Sequence, residues 1–262
     1  MEKVKVTTEL IYQLADDNFI NAYRGSEWLG LAPHIEEDVA FSSINQDTMG
    51  HASMYYQLLE DLNEGEIDEV SHRRSANDFR NAIILELKNG TGSYLNRPNY
   101  DWAYTTVRQL FFGILKEIRL ESLTNSSYEP LVHTARKIQT EQYYHLMHWK
   151  TWFNQLMMST DEARERMEKA IENVWGAFGD ALSFGKYADE ISNLKLILSE
   201  SELEAEWLER INTLFKQCNY TISGNPEMKH GNGRNGEYTE DLVEALDILG
   251  KVYNTDRQAV GW

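Results

Sequence analysis

Apolar residues recur along this chain at spacings of three and four over most of its length, which is the period of an amphipathic α-helix. Runs that alternate apolar and polar residues, as half-buried strands do, are nearly absent. Only four prolines are present to interrupt helices. The pattern therefore predicts an all-α protein.

Four long helices are predicted, each bounded by capping or turn residues. The first starts after Thr7 and Thr8 and covers about 9–28, with the polar Asn18 on its inward stripe. The second covers about 35–62, and its inward candidates are Val39, Ile44, Met49, Ala52, Tyr56 and Leu59. The third and fourth cover about 101–123, with Asp101 as N-cap, and about 129–158, with Pro130 in the first turn. Together they describe a four-helix bundle.

The segment 66–100 is less regular, and its Gly, Asn and Pro turns predict a loop or a short helix with flanking loops. Beyond it, a capping box at Ser159-x-x-Glu162 predicts a helix to about 182. Ser199-x-x-Glu202 or Ser201-x-x-Glu204 opens another helix to about 218, and a last one covers about 239–253.

The Gly- and Asn-rich stretch 224–236 is predicted to be the most flexible part of the chain. No composition break is sharp enough to mark a second domain. We therefore expect one domain over residues 1–262, with a core bundle at about 8–158 and accessory helices at about 159–262.

Composition and net charge limit the kinds of partner that this protein is expected to bind. The chain has 262 residues, 42% of them hydrophobic, and a formal net charge of −17. That charge would repel a phosphate backbone or an anionic membrane surface, so we expect neither nucleic acid nor membrane as a partner. The N-terminus lacks the apolar run of a signal peptide, which predicts a cytoplasmic protein. Cys218 is the only cysteine, and we interpret it as a core residue and not a reactive thiol.

Two distant stretches carry the same pair of chemical groups. In QDTMGH at 46–51 and TEQYYH at 140–145, an acid precedes a histidine by four residues: Asp47 with His51, and Glu141 with His145. On a helix this spacing places both side chains on one face. Helical-bundle di-metal sites use Glu-x-x-His instead, and the residues three before these histidines are the uncharged Thr48 and Gln142.

The spacing leaves three interpretations open. The pairs can be hydrogen-bonded groups in which an acid orients an imidazole, without a metal. Alternatively, Asp47, His51, Glu141 and His145 form a shifted ligand set for one metal ion, or part of a dinuclear site. His148 could extend such a cluster, but we interpret it as a residue on a solvated edge.

The order and spacing of several motifs make this chain resemble the C-type subunits of bacterial phenylacetyl-CoA ring epoxidases. These motifs are LADDN at 14–18, GSEWLGLAP at 25–33, EDVA at 37–40, QDTMGH at 46–51, RQLF at 108–111, EQYYH at 141–145 and the tail ending on Trp262. The resemblance covers most of the chain, with looser matches in 64–100 and in the helix after Ser159. It implies a ferritin-like four-helix bundle with additional C-terminal helices.

The resemblance also implies which residues stand at metal-ligand positions. Compared with the related catalytic A-type subunit, a di-iron protein, the four acidic ligands fall on Asn18, Thr48, Gly113 and Gln142. Only His51 and His145 remain of that ligand set, and Asp47 and Glu141 match carboxylates that lie behind the ligands. Two neutral imidazoles do not compensate the charge of an iron pair. We therefore expect a degenerate site, with no metal, cofactor or catalytic residue in this chain.

These implications lead to one functional hypothesis and two rivals. The chain is expected to be a non-catalytic subunit that binds and stabilises the catalytic A-type subunit, within a complex that also includes a reductase. The first rival is a metal-dependent oxygenase that uses the shifted ligands Asp47, His51, Glu141 and His145. The second is a self-associating ferritin-like protein outside this pathway. A homodimer is also one of the assemblies expected of the epoxidase subunit itself.

Overall fold

The computed structural model describes residues 2–256, so the motif at Trp262 lies outside the described residues. Within this part of the chain there are eleven α-helices and one two-stranded antiparallel hairpin, and the fold is all-α and ferritin-like, as predicted. The elements are α1 (Glu2–Ser26), α2 (Ile35–Asp61), α3 (Ile67–His72), α4 (Ile83–Glu86), β1 (Gly90–Ser93), β2 (Asn96–Tyr100), α5 (Trp102–Leu123), α6 (Glu129–Met157), α7 (Asp161–Trp175), α8 (Ala188–Asn193), α9 (Glu200–Gln217), α10 (Glu240–Leu249) and α11 (Lys251–Thr255).

The four long helices α1, α2, α5 and α6 form the bundle, in which α1 packs along α2 and α5 along α6. Helix α5 is buried on nearly every side, because α7 and α9 cover the face that the bundle leaves open. Its buried residues are mostly apolar but include the charged Arg108, Lys116 and Arg119. The core therefore runs along α5, from Ala103 to Leu123. No helix within residues 2–256 is long and apolar enough to cross a membrane.

Most helix ends follow the predicted caps. The Asp101 side chain accepts a hydrogen bond from the Tyr104 amide at 3.1 Å, and Pro130 lies in the first turn of α6. Ser199 and Glu202 form the complete capping box that opens α9. These three predictions are confirmed, because a cap is a local property that neighbouring residues decide.

Other boundaries differ from the prediction. Helix α1 begins at Glu2 and not after Thr8. Thr7 lies inside the helix, where its hydroxyl donates to the Lys3 carbonyl, so it caps no helix end. Thr160 caps α7 in place of Ser159, and α7 ends at Trp175. Val39, predicted to face inward, is 65% exposed.

The segment 90–100 forms the hairpin β1–β2, where the sequence predicted only loops and a short helix. Gly92 has a φ of +78°, a left-handed conformation that favours glycine. Farther along, Arg234 lies in the stretch predicted to be flexible, yet its side chain is buried in the core. Pairing within the segment therefore forms the hairpin, whereas a long-range contact with Asp17 holds Arg234 in place.

Candidate functional site between helices α2, α5 and α6

Packing of α2 against α6 brings the two predicted acid–histidine units together. His51 is fully buried and His145 nearly so, and their ring centroids lie 5.9 Å apart. Asp47 and Glu141 lie at the edge of the same cluster, with side chains 39% and 47% exposed. The four side chains thus occupy one place in the bundle, with the imidazoles inside and the acids outside.

Each acid binds the histidine of the other unit. Nε2 of His51 lies 2.7 Å from Oε2 of Glu141, and Nε2 of His145 lies 3.0 Å from Oδ2 of Asp47. The i, i+4 spacing places each acid on the same helix face as its own histidine, but the hydrogen bonds cross between the helices. The pairs therefore join α2 to α6.

Lys116 on α5 completes the cluster, and no sequence motif had identified it. Its Nζ lies 2.8 Å from Nδ1 of His51, and its side chain is buried. An ammonium group only donates hydrogen bonds, so Nδ1 accepts and Nε2 carries the imidazole proton that goes to Glu141. Both nitrogens of His51 are therefore engaged. The available signal was a lysine three residues after Gly113, directly after the apolar pair Ile114 and Leu115.

Burial dominates the electrostatics of this cluster. It lowers the pKa of Lys116 to about 7, against the opposing effect of Glu141, Asp47 and Asp17. It also lowers the pKa of His51 far below its usual range, and Lys116 and His145 add to this effect. His51 is consequently a neutral imidazole. The pKa of His145 is lowered as well, again chiefly by burial.

Of the four residues expected at acidic-ligand positions, three have side chains that donate hydrogen bonds to helix carbonyls. Asn18 donates to the Leu14 carbonyl at 2.7 Å, and Thr48 donates to the Ile44 carbonyl at 2.7 Å. Gln142 donates to the carbonyl of Gly113, the fourth position, at 3.0 Å. The polar side chains at these three positions are therefore hydrogen-bonded to backbone carbonyls of the bundle helices.

Space at these positions is also limited. A Cβ atom added to Gly113 would lie 3.3 Å from Cδ1 of Leu146 and 3.6 Å from Nε2 of Gln142. Beside Asn18 and Lys116 lies a small cavity of about 10 Å³, which holds at most about one water molecule. The buried Oδ1 of Asn18 has no hydrogen-bond partner among the described residues.

The residues present do not fit a pair of iron ions, which the ferritin-like class of site binds with several carboxylate oxygens and two imidazoles. None of the four matching positions carries a carboxylate. Within residues 2–256, no group of three or more His, Cys, Asp or Glu side chains is placed to hold a metal ion. Asp47, His51, Glu141 and His145 accordingly form two crossed pairs in this structure and not a shared ligand shell.

The other two residues singled out by the sequence lie in separate environments. Nε2 of His148 is 2.9 Å from Oε1 of the buried Glu37, which also accepts from Trp152. Cys218 is buried in the core beside Asn154, and burial raises the pKa of its thiol. A raised pKa disfavours the thiolate, so Cys218 fits the predicted core role.

A second buried polar cluster lies around Asp17 of α1, and no pattern in the sequence indicated it. Both carboxylate oxygens of Asp17 accept from the Arg234 guanidinium at 2.8 Å, and Arg119 of α5 adds a contact at 2.8 Å. The Ala82 amide donates to the same carboxylate at 2.8 Å. These contacts bind three distant parts of the chain to α1.

Fold and site thus define a class of protein: a ferritin-like helical bundle with two crossed acid–histidine pairs between α2 and α6. A family model described as phenylacetic acid catabolic protein matches residues 2–262. The chain belongs to this family. It is also 24% identical over 240 residues to the C-type subunit of 1,2-phenylacetyl-CoA epoxidase from Escherichia coli (strain K12), a match that covers 91% of this chain and 92% of that protein.

Proposed function

We propose that this chain is a non-catalytic structural subunit of a multicomponent phenylacetyl-CoA epoxidase. It would bind and stabilise a catalytic di-iron subunit, which epoxidises the aromatic ring with dioxygen and electrons from a separate reductase. The family membership and the similarity to a C-type epoxidase subunit support the pathway.

One observation supports the non-catalytic role above all others. Asn18, Thr48 and Gln142 direct their hydrogen bonds to helix carbonyls, and Gly113 has no side chain to offer. A di-iron centre needs charged oxygen ligands at such positions, since hard cations bind carboxylates. The polar cluster at His51 and His145 then contributes a cross-link between α2 and α6, without chemistry of its own.

An exposed aromatic patch on α6 supports the partner role. Tyr143 and Tyr144 are 60% and 59% exposed, and Met147 beside them is 50% exposed. Tyrosine and methionine are enriched in protein interfaces, where tyrosines often supply a large share of the binding energy. We place the contact with the catalytic subunit on this α6 patch.

Co-expression with the catalytic subunit tests the partner role. The two chains are expected to co-purify as a stable complex, and the variant Tyr143→Ser/Tyr144→Ser is expected to raise the Kd at least about tenfold. Tyr238→Ser is the matched control, because Tyr238 is 44% exposed and lies outside the α6 patch. Recovery of the chain only as a homodimer, or without any partner, would contradict the proposal.

Metal analysis of the same preparations tests the non-catalytic role. Iron is expected to follow the catalytic subunit, and the chain purified alone is expected to contain far less than one iron per molecule. Stoichiometric iron in the isolated chain that is lost in His51→Ala or His145→Ala would instead establish the metal-dependent oxygenase with shifted ligands.

A further inference from the structure

The exposed residues on the outward side of helix α2 are uncharged along most of its length. Between positions 39 and 57 they recur at spacings of three and four, so they lie on one face of the helix. They are Val39, Ser43, Gln46, Gly50, Ser53 and Gln57, here called the α2 face. Helix α7 shows the usual pattern of a solvated helix, because six of its seven exposed residues are charged. The α2 face thus contrasts with a chain whose net charge is −17.

Gly50, at the centre of the α2 face, is a glycine that the fold itself does not require. Its backbone is helical, and an added Cβ atom would meet nothing within 4 Å among the described residues outside the helix's own backbone. Gly25 of α1 differs, since a Cβ atom there would collide with the Asn45 side chain. Glycine weakens a helix interior but lets another surface approach the backbone closely. The position of Gly50 therefore indicates packing against α2 from outside this chain.

We propose that the α2 face and the α6 patch form one contact surface, and that an uncharged helix surface of the catalytic subunit covers it. The inference rests on the proposed function and deepens it by naming the surface and the chemistry of its partner. The two parts lie side by side, since the Asp47–His145 and Glu141–His51 pairs join α2 to α6. Tyr144 of the α6 patch follows Glu141 by three residues, so it borders the same seam between the helices.

The area of the combined surface supports this assignment. A stable protein–protein contact covers about 800 Å² on each partner, which the three side chains of the α6 patch alone do not provide. From Val39 to Gln57 helix α2 is about 27 Å long, and a helix with its side chains is about 10–12 Å wide. Helices α2 and α6 side by side therefore offer about 600 Å² over this length, which is most of the area that such a contact needs.

Charge favours a different protein over a second copy of this chain as the occupant. Two copies would each have a net charge of −17, and they would repel each other over their whole surfaces. The α2 face does not offset that repulsion, since it has no basic side chain to pair with an acidic surface. Burying an unpaired charge against it would cost free energy, whereas apolar and small uncharged side chains fit it without that cost.

Thiol labelling tests whether the catalytic subunit covers the α2 face. Ser53→Cys places an accessible thiol there, whereas the natural Cys218 is buried and the pKa of its thiol is raised. With the catalytic subunit at about ten times its Kd, alkylation of this variant is expected to be about tenfold slower than in the isolated chain. Ala205→Cys, on the exposed side of α9, is the control and should react equally fast in both states.

Two results of this labelling would overturn the inference. Equal rates for Ser53→Cys in the isolated chain and in the complex would show that the catalytic subunit leaves the α2 face open. Labelling that slows in the isolated chain as its concentration rises would assign the α2 face to a second copy of this chain.

Substitutions at Gly50 provide a second test, with effects of opposite sign on folding and binding. Gly50→Ala is expected to raise the Tm of the isolated chain by about 1–4 °C, because alanine suits a helix interior better. Gly50→Leu is expected to raise the Kd for the catalytic subunit at least about tenfold, because its side chain fills the space that the partner helix needs. Ala205→Leu on α9 is the matched control and should leave that Kd unchanged.

The outcomes at Gly50 separate this inference from the proposed function. A natural chain that binds the catalytic subunit, with the same Kd for Gly50→Leu, would overturn the inference and leave the proposed function standing. A Tm that falls in Gly50→Ala would show that the fold requires this glycine, which would also overturn the inference. Failure of the natural chain itself to bind the catalytic subunit would overturn the proposed function and the inference together.

Discussion

Two buried polar clusters in this bundle handle charge in opposite ways. Around Asp17, the carboxylate contacts the guanidinium groups of Arg119 and Arg234 directly. Around Lys116, the ammonium contacts a neutral imidazole, and Glu141 lies on the far side of that ring. Opposite charges therefore touch in the first cluster and are held apart in the second.

The pKa shifts of the two central residues show the same difference, because the shift favours the charged form of Asp17 and the neutral form of Lys116. Burial raises the pKa of Asp17, but Arg234 and Arg119 outweigh it, and the pKa is lowered overall. For Lys116, burial lowers the pKa to about 7, and the distant carboxylates do not restore it. The ionised form of Asp17 is thus favoured in the fold, although burial still lowers the pKa of Arg119 to about 10. The Lys116 cluster instead keeps a charge at a cost to stability.

Asp17→Asn should have the largest effect, because it removes the carboxylate that two buried guanidinium groups contact. Breaking a buried pair in this way typically costs about 3–5 kcal/mol. Urea denaturation at about pH 7 measures the free energy of unfolding. A loss below about 1 kcal/mol would show that the Asp17 cluster does not hold the fold together.

Lys116→Met should have an intermediate effect that depends on pH. The variant removes a buried charge but leaves Nδ1 of His51 unpaired, and we expect it to lie within about 2 kcal/mol of the natural chain at about pH 7. The pKa of Lys116 falls from 10.5 when unfolded to about 7 when folded. Between these values the unfolded state binds more protons, so the contribution of Lys116 to stability rises with pH.

Unfolding measured at about pH 7 and at about pH 10 checks this expectation. The variant should compare more favourably with the natural chain at the lower pH, because the penalty of the buried ammonium is greatest there. The same difference in unfolding free energy at both values would contradict it.

Asp47→Asn should have the smallest effect, although the chemical change is the same as in Asp17→Asn. The Asp47 side chain is 39% exposed, and an amide oxygen still accepts the hydrogen bond from His145. We expect a loss below about 1 kcal/mol in the free energy of unfolding. A cost similar to that of Asp17→Asn would remove the contrast between the two clusters.

Local signals in the sequence account for most of the fold. Helix period and capping residues predicted α2, α5, α6 and α9 closely, since neighbouring residues decide those features. Arg234 shows the limit: its Gly- and Asn-rich surroundings predict a loose turn, and its partner Asp17 lies 217 residues away in sequence. No local pattern reveals such a pair.

The candidate site shows the same contrast between features set by neighbouring residues and contacts between distant ones. Both acid–histidine units were visible in the sequence, as were the uncharged residues three positions before each histidine. The crossed pairing was not, because spacing along one helix says nothing about which side chain of another helix lies opposite. Lys116 was overlooked for a related reason, since its role depends on packing against His51 and not on any motif of α5.

Anomalous X-ray diffraction at the iron edge, from crystals of this chain grown with Fe²⁺, tests most directly whether it has a metal centre of its own. We predict no anomalous peak between His51 and His145, and continuous side-chain density that places Nζ of Lys116 within hydrogen-bond distance of Nδ1 of His51. An iron peak at full occupancy between the two imidazoles, with Lys116 displaced, would contradict the non-catalytic role.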